Sequence, residues 1–453
     1  MITVFVLLLL VNLASLNTPN YNIEKTVSVF SKHYERVYDV KIKPFRDVPC
    51  TNSNTLKLEE MNLGNKFLKD NLIHSDSIQH ISLRGNNLTN ISAIILNRVR
   101  NLICLDISEN KFNLNNNNFI EHGNLKVLNL CHQKPDADES LKSEGEIIKK
   151  NEKYMEIKVF NTTGIYLPNL EHLFLCDNNI VSLPDTFNIS FPKLSHIYLN
   201  NIDATNLNKD FFNKIPKTLR VVHLEDNKLY NLILQNITEI IELYLDGNPL
   251  TNIEIVSKKL NILSLSHGAA NGHINLYTPY LEYLDLSHNN LQSQPDIRYN
   301  DLQFLKTLLL DYNEFSSFPL FTFDLSLIRL SLSYNKLTYI ASKYFQHLTS
   351  LKMLSLRGNR IRNIESDTFK HLSHLEFLDL SQNQLIKLPN DWIIPLQNIQ
   401  FFNASSNYFI TISDITISPH SLLTHLFVED NTFMSVTNKE LDMLPNGITV
   451  YLD

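Results

Sequence analysis

Glycine is scarce, with 10 residues in a chain of 453. So few disfavour glycine-rich phosphate loops and folds built from many tight hairpins. Four cysteines are too few for a disulfide framework to hold a chain of this length together. Charged residues make up 19% of the chain, below the roughly 25% usual in soluble proteins. Lys+Arg 40 against Asp+Glu 47 leave a net charge of −7. The basic excess of a nucleic-acid binder is missing, so nucleic acid is not expected as a partner. The sequence contains no H-E-x-x-H, no G-x-S-x-G, no Walker loop and no dinucleotide fingerprint. Neither an enzyme nor a cofactor is expected. His267 and His273 flank a short polar stretch that reads as a loop, not a metal site.

Near the N-terminus, Val4 to Val11 form an apolar run followed by Asn12, Leu13, Ala14 and Ser15. This reads as a signal peptide over residues 1–16, since the run falls well short of the roughly 20 apolar residues that span a bilayer. No later stretch is long and apolar enough to cross a membrane. Asn-x-Ser/Thr sequons at Asn87, Asn90, Asn161, Asn188, Asn236 and Asn403 then become candidate N-glycosylation sites on a secreted, extracellular protein.

From residue 53 to residue 453 one pattern recurs, L-x-x-L-x-L-x-x-N-x-L. It is cleanest at Leu281, Leu284, Leu286, Asn289 and Leu291, and it returns at Leu351–Ile361 and Leu375–Leu385. Successive units begin every 20 to 25 residues from Ile78 to Leu423, apart from one long gap between Leu125 and Leu170. The x-L-x-L stretch alternates with period two, so it is a short strand with its leucines on one side. The later Asn suits a turn, where it can bond backbone groups. A single unit cannot bury its leucines, whereas stacked units bury them in a continuous core. These residues resemble the extracellular leucine-rich repeat family. The resemblance implies an α/β repeat solenoid, a horseshoe of about 17–18 units with one curved parallel β-sheet on its concave face. The units at Ile240, Leu260 and Leu281 are shorter, which predicts a local change of curvature between about 240 and 290.

Two regions depart from the pattern. Residues 17–52 are not repeat-like, and Tyr38, Val40 and Ile42 alternate as a strand of an N-terminal cap would. Residues 134–158 form a charged excursion, thirteen of 25 being charged. Met155, Ile157 and Val159 alternate within the long gap, which predicts an extra strand between the units carrying Cys131 and Cys176. Those cysteines would then lie two strand spacings apart, near 10 Å, and stay unbridged. The chain stops on a strand. Its edge calls for cover by a partner or a second copy, or marks a shortened gene product.

Residues between and just after the strand leucines face the concave side. There the sequence places His172, Phe174, His196, Tyr198, His223, Tyr244 and Asp246, an aromatic and imidazole ladder beside acids. Such a ladder suits a polar, basic protein partner. Asn403 also falls on this face, so a glycan there would cover its C-terminal part. Asp285 and Asp379 recur at fixed repeat positions and read as exposed strand residues. The signal peptide, the short units among 24-residue ones and the N-terminal strand resemble the mosquito leucine-rich immune proteins, in their coil-less form. That resemblance implies a glycosylated binding protein of innate immunity with an extracellular protein ligand. The rival reading is a cell-surface adhesion protein or Toll-like receptor ectodomain lacking its membrane segment.

Overall fold

The computed structural model describes residues 54–135 and 160–452, apart from 65–74, 91–95, 97, 116–119, 181, 206–210, 236, 271–272, 294–296, 298–301 and 434. The expected signal peptide, the N-terminal cap, residues 136–158 of the charged excursion and Asn236 lie outside the described residues. The chain divides into two compact units, one from residue 48 to 336 and one that includes residues 337–453.

In the first unit the repeat produces three-residue strands that pair in parallel and in register. They run from Thr55–Lys57 through His80–Ser82, Cys104–Asp106 and Val127–Asn129. They continue from His172–Phe174 to Arg329–Ser331. The middle residue of each strand pairs with its counterpart, as in Leu243↔Leu263, Leu263↔Leu284 and Leu284↔Leu308. All four of these leucines are fully buried. The second unit repeats the arrangement from Met353–Ser355 to Thr449–Tyr451, with Leu354, Leu378, Phe402, Leu426 and Val450 in register. Each unit is a parallel-sheet solenoid, as the period-two leucines predict.

Two further rows hold successive turns together. The repeat asparagine is buried and bonds backbone above and below. Asn110 Oδ1 accepts from the N–H groups of Asn86 and Leu88, both at 3.0 Å, while its Nδ2 donates to the carbonyls of Leu83, Ile107 and Ser108. Asn289, Asn313, Asn335, Asn383 and Asn407 repeat this pattern. Four described turns lack the asparagine: Met61 stands at its position in the first, Gln133 bonds in its place in another, and Gly268 and Ile202 stand in the other two. At Gly268 an added Cβ would lie 2.8 Å from the Asn248 carbonyl oxygen. At Ile202 the Ile180 N–H reaches the Ile202 carbonyl instead, at 3.3 Å. The residue just before the asparagine is left-handed in nearly every turn, as at Glu109 (φ 54°), Asp177 (55°) and His288 (54°).

On the convex side, the phenylalanines of the longer units form the outer core. Phe160, Phe187 and Phe191 pack together, as do Phe345, Phe369 and Trp392. The short units differ, and they are the three that begin at Leu219, Ile240 and Leu260, not those at Ile240, Leu260 and Leu281. Their convex segments, Asn231–Gln235, Asn252–Val256 and Ile274–Tyr277, are strands of a second parallel sheet. With hydrogen-bonded strands on both sides, concave and convex spacings are both about 4.8 Å, and nothing forces the turns to fan apart. This second sheet, from residue 231 to 277, overlaps the stretch between 240 and 290 where a change of curvature is expected.

The cysteine expectation is overturned. Val127–Asn129 pairs directly with His172–Phe174, with no strand between them. Cys131 and Cys176 are therefore neighbours and form a disulfide, their Cα atoms 4.6 Å apart. The period-two signal in the gap misled because alternation over three residues does not itself secure a place in a sheet. Cys104 is also disulfide-bonded. Among the described residues no helix is long and apolar enough to cross a membrane.

Candidate functional site

The concave face of the first unit carries the ladder that the sequence places there. Because the strands are in register, residues on one face stack between turns. Phe174 lies 4.1 Å from Tyr198 ring to ring, Tyr198 4.6 Å from His223, and His223 4.4 Å from Tyr244. One strand position earlier on the same face, His172 and His196 stack at 4.1 Å. All seven candidate residues therefore fall in one contiguous strip.

The strip shows less surface than an open ladder would. Phe174, His223 and Tyr244 are 2%, 6% and 5% exposed, while His172, His196 and Tyr198 are half-buried. Parallel rings at this spacing cover each other's faces and leave edges to solvent. Polar tips are tied down as well. His223 Nδ1 meets Glu225 Oε1 at 2.7 Å, the Tyr244 hydroxyl donates to Glu242 at 2.8 Å, and Ser195 Oγ lies 2.8 Å from His196 Nδ1. Asp246 Oδ1 accepts from the Ser264 hydroxyl and the Ser266 N–H, both at 2.6 Å. Burial, with His172 and His223 nearby, lowers the pKa of His196 to about 4. Burial also lowers that of His172 and raises that of Tyr198 to about 12. At neutral pH the His172–His196 pair and the Tyr198 phenol are uncharged. Exposed Asp177 and Asp226 give the strip an acidic margin.

Three other concave residues are less open than their positions suggest. Asn403 is 9% exposed and its Oδ1 accepts the Ser405 N–H at 3.0 Å, so the described sequons at Asn87, Asn90, Asn161 and Asn188 are the more accessible ones. Asp379 is 5% exposed and Asp285 half-buried, not exposed as their spacing suggests. Each carboxylate folds back on the N–H two residues later, at 2.9 Å and 2.8 Å, and burial raises both pKa values. Among the described residues, no group of three or more His, Cys, Asp or Glu could hold a metal ion. His267 stacks on His288, at 4.0 Å.

That contact belongs to a second stack, which the sequence reading missed. His267, His288, Tyr312 and Tyr334 occupy the left-handed position of four successive turns, with φ between 53° and 55°. Their rings stack at 4.0, 4.1 and 4.3 Å. His267 is exposed and Tyr312 is 46% exposed. The signal was present in the sequence, as rings standing immediately before the repeat asparagine or its substitute.

Residues 303–361 and 350–409 match a leucine-rich repeat family model, and residues 280–300 match a second one. Mouse Podocan is 26% identical over 271 residues, which are 55% of this chain and 38% of Podocan. The chain thus spans well under half of that curated relative. Among solved structures, the glycosylated Toll–Spatzle complex of Drosophila is 21% identical with a TM-score of 0.62, covering 80% of this chain and 49% of that one. A leucine-rich repeat protein of Leptospira interrogans is 22% identical with a TM-score of 0.53, covering 96% of this chain and all of its own. With the register of the strands and the asparagine ladder, these matches show a leucine-rich repeat fold.

Proposed function

We propose that this chain is a secreted, glycosylated recognition protein that binds an extracellular protein ligand on the concave face of residues 172–246. The carrying observation is the pre-stacked strip from Phe174 to Tyr244, with His172–His196 beside it and carboxylates along its margin. Rigid ring stacks lose little entropy on binding, and Tyr198, the half-buried ring of the row, is an aromatic of the kind that anchors interfaces. The acidic margin favours a polar partner with basic side chains. No step of this reading requires catalysis, a cofactor, nucleic acid or a membrane span. The N-terminal apolar run supports secretion, and the accessible sequons support glycosylation. A role in innate immunity rests on the resemblance to mosquito leucine-rich immune proteins. The likeness to a Toll ectodomain fold keeps a receptor or adhesion ectodomain as the second reading.

The experiment is affinity capture from extracellular fluid with the purified chain, then measured affinity for the captured protein. Tyr198→Ala with His196→Ala is expected to cost about 2 kcal/mol or more, as for true anchors. Unchanged affinity in a double variant with native circular dichroism would remove the concave strip from the interface.

A further inference from the structure

The two ring stacks occupy consecutive turns. Phe174, Tyr198, His223 and Tyr244 stand between the strand leucines of four units, and His267, His288, Tyr312 and Tyr334 stand at the left-handed position of the next four. One ring per turn is thus maintained over eight turns, and the row steps sideways once, between Tyr244 and His267. At the step the left-handed position holds Gly247, where a Cβ would meet Asp226 Oδ1 at 2.3 Å. The Asp226 side chain therefore lies over the glycine.

The charges along the first seven turns of this track are of one sign, and the eighth turn carries Arg329 at its first strand position. From His172 to Tyr312, the concave, following and left-handed positions carry Asp177, Glu225, Asp226, Glu242, Asp246, Asp285 and Asp311, and no Lys or Arg. We propose that both stacks together receive one extended, basic segment of a partner polypeptide, lying along the solenoid axis and crossing from the concave face to its margin at Gly247. This rests on the concave reading above and adds the length, direction and charge of what binds. Eight turns at about 4.8 Å span about 34 Å, which an extended chain covers in about ten residues at about 3.3 Å each. A shorter segment reaches one stack only. Basic side chains meet the carboxylates at the step, and flat side chains meet the ring edges. Tyr312 and His267 supply the exposed part of the second contact.

The test uses fluorescent alternating Arg-Tyr peptides of twelve and four residues, with a twelve-residue Glu-Tyr peptide as the charge control, read by fluorescence anisotropy on the full chain. The margin variant is His288→Asn with Tyr312→Asn. Asparagine tolerates the left-handed backbone, and Asn201 already occupies the equivalent position (φ 50°), so this variant keeps its fold. The twelve-residue Arg-Tyr peptide is expected to bind about tenfold or more tighter than the four-residue one, because the second contact is intramolecular. The margin variant should abolish that advantage and leave the four-residue peptide unaffected, while Tyr198→Ala weakens both. Equal binding of the long peptide by wild type and margin variant overturns the inference and leaves the concave reading standing. Tyr198→Ala with no effect on either peptide overturns both. No binding of the Arg-Tyr peptide, or equal binding of the Glu-Tyr peptide, overturns the basic segment.

Discussion

Removing one rung of the asparagine ladder tests what holds the turns together. In Asn110→Ala the side chain that vanishes is 1% exposed and makes five hydrogen bonds to backbone. The three carbonyls it serves have other partners. Leu83 O also accepts from Asn86 Nδ2, Ile107 O from Gln133 Nε2, and Ser108 O from the Gly85 N–H. The N–H groups of Asn86 and Leu88 depend on Asn110 Oδ1, and both residues are fully buried. Two orphaned buried donors at about 1–3 kcal/mol each, moderated by water entering the small void, give an expected loss of about 3–5 kcal/mol. Asn110→Asp keeps the acceptor but loses the donors and sets a carboxylate against three carbonyl oxygens, so it should be at least as costly at pH 7. The assay is urea denaturation followed by circular dichroism, with hydrogen exchange at the Asn86 and Leu88 amides as the local readout. A loss below about 0.5 kcal/mol in both variants, with those amides still protected, would refute the ladder as a source of stability.

Three other outcomes can be checked on the same preparation. Cys131→Ser with Cys176→Ser opens a bridge spanning a sequence separation of 45; the chain-entropy relation expects a loss of about 4 kcal/mol, read by denaturation with and without reductant. Leu378→Ala removes a fully buried side chain and should cost about 2–5 kcal/mol by chemical denaturation. The His172–His196 pair makes stability depend on pH. Both pKa values are lowered in the fold, that of His196 to about 4, so the unfolded chain takes up protons first. The pair's contribution is complete above pH 6.5 and declines as pH falls toward 4. His196→Gln should flatten that part of a stability profile taken between pH 7 and 4, and an unchanged slope would show that the imidazoles do not carry it.

Much of the fold was legible because the leucines answer to a strict geometric demand. A strand residue faces either the core or the solvent, and a slip of one position exposes the whole row. The register therefore runs through the sequence from Leu56 to Leu330 and from Leu354 to Val450 as the structure has it. The concave strip was legible for the same reason. Its burial was not, because the exposure of Phe174 or Tyr244 depends on how neighbouring rings lie, and that is not periodic. The disulfide was missed where two weak signals competed. Alternation at Met155, Ile157 and Val159 argued for a strand, density of charge argued for a loop, and the direct pairing of Val127 with His172 follows the second.

The second stack escaped notice for a different reason, one that also bears on the scarcity of glycine. Every turn needs a left-handed residue before its asparagine, and glycine is the residue that adopts this conformation without steric cost. The chain places glycine there at Gly85, Gly247 and Gly358, but elsewhere uses Glu109, Asp177, Asp226, His267, His288, Tyr312, Tyr334 and Gln382. Each such choice costs about 1–2 kcal/mol against glycine, a penalty the fold sustains because the turn is fixed by the ladder and by the strands on either side. What the chain gains at these positions is a side chain at the margin of the sheet in each turn that does not use glycine. Beside the concave stack the margin alternates Asp177, Asn201, Asp226 and Gly247, and rings occupy it in the four turns beyond. A position that reads in sequence as a turn residue is, in three dimensions, part of a stacked row on the first unit.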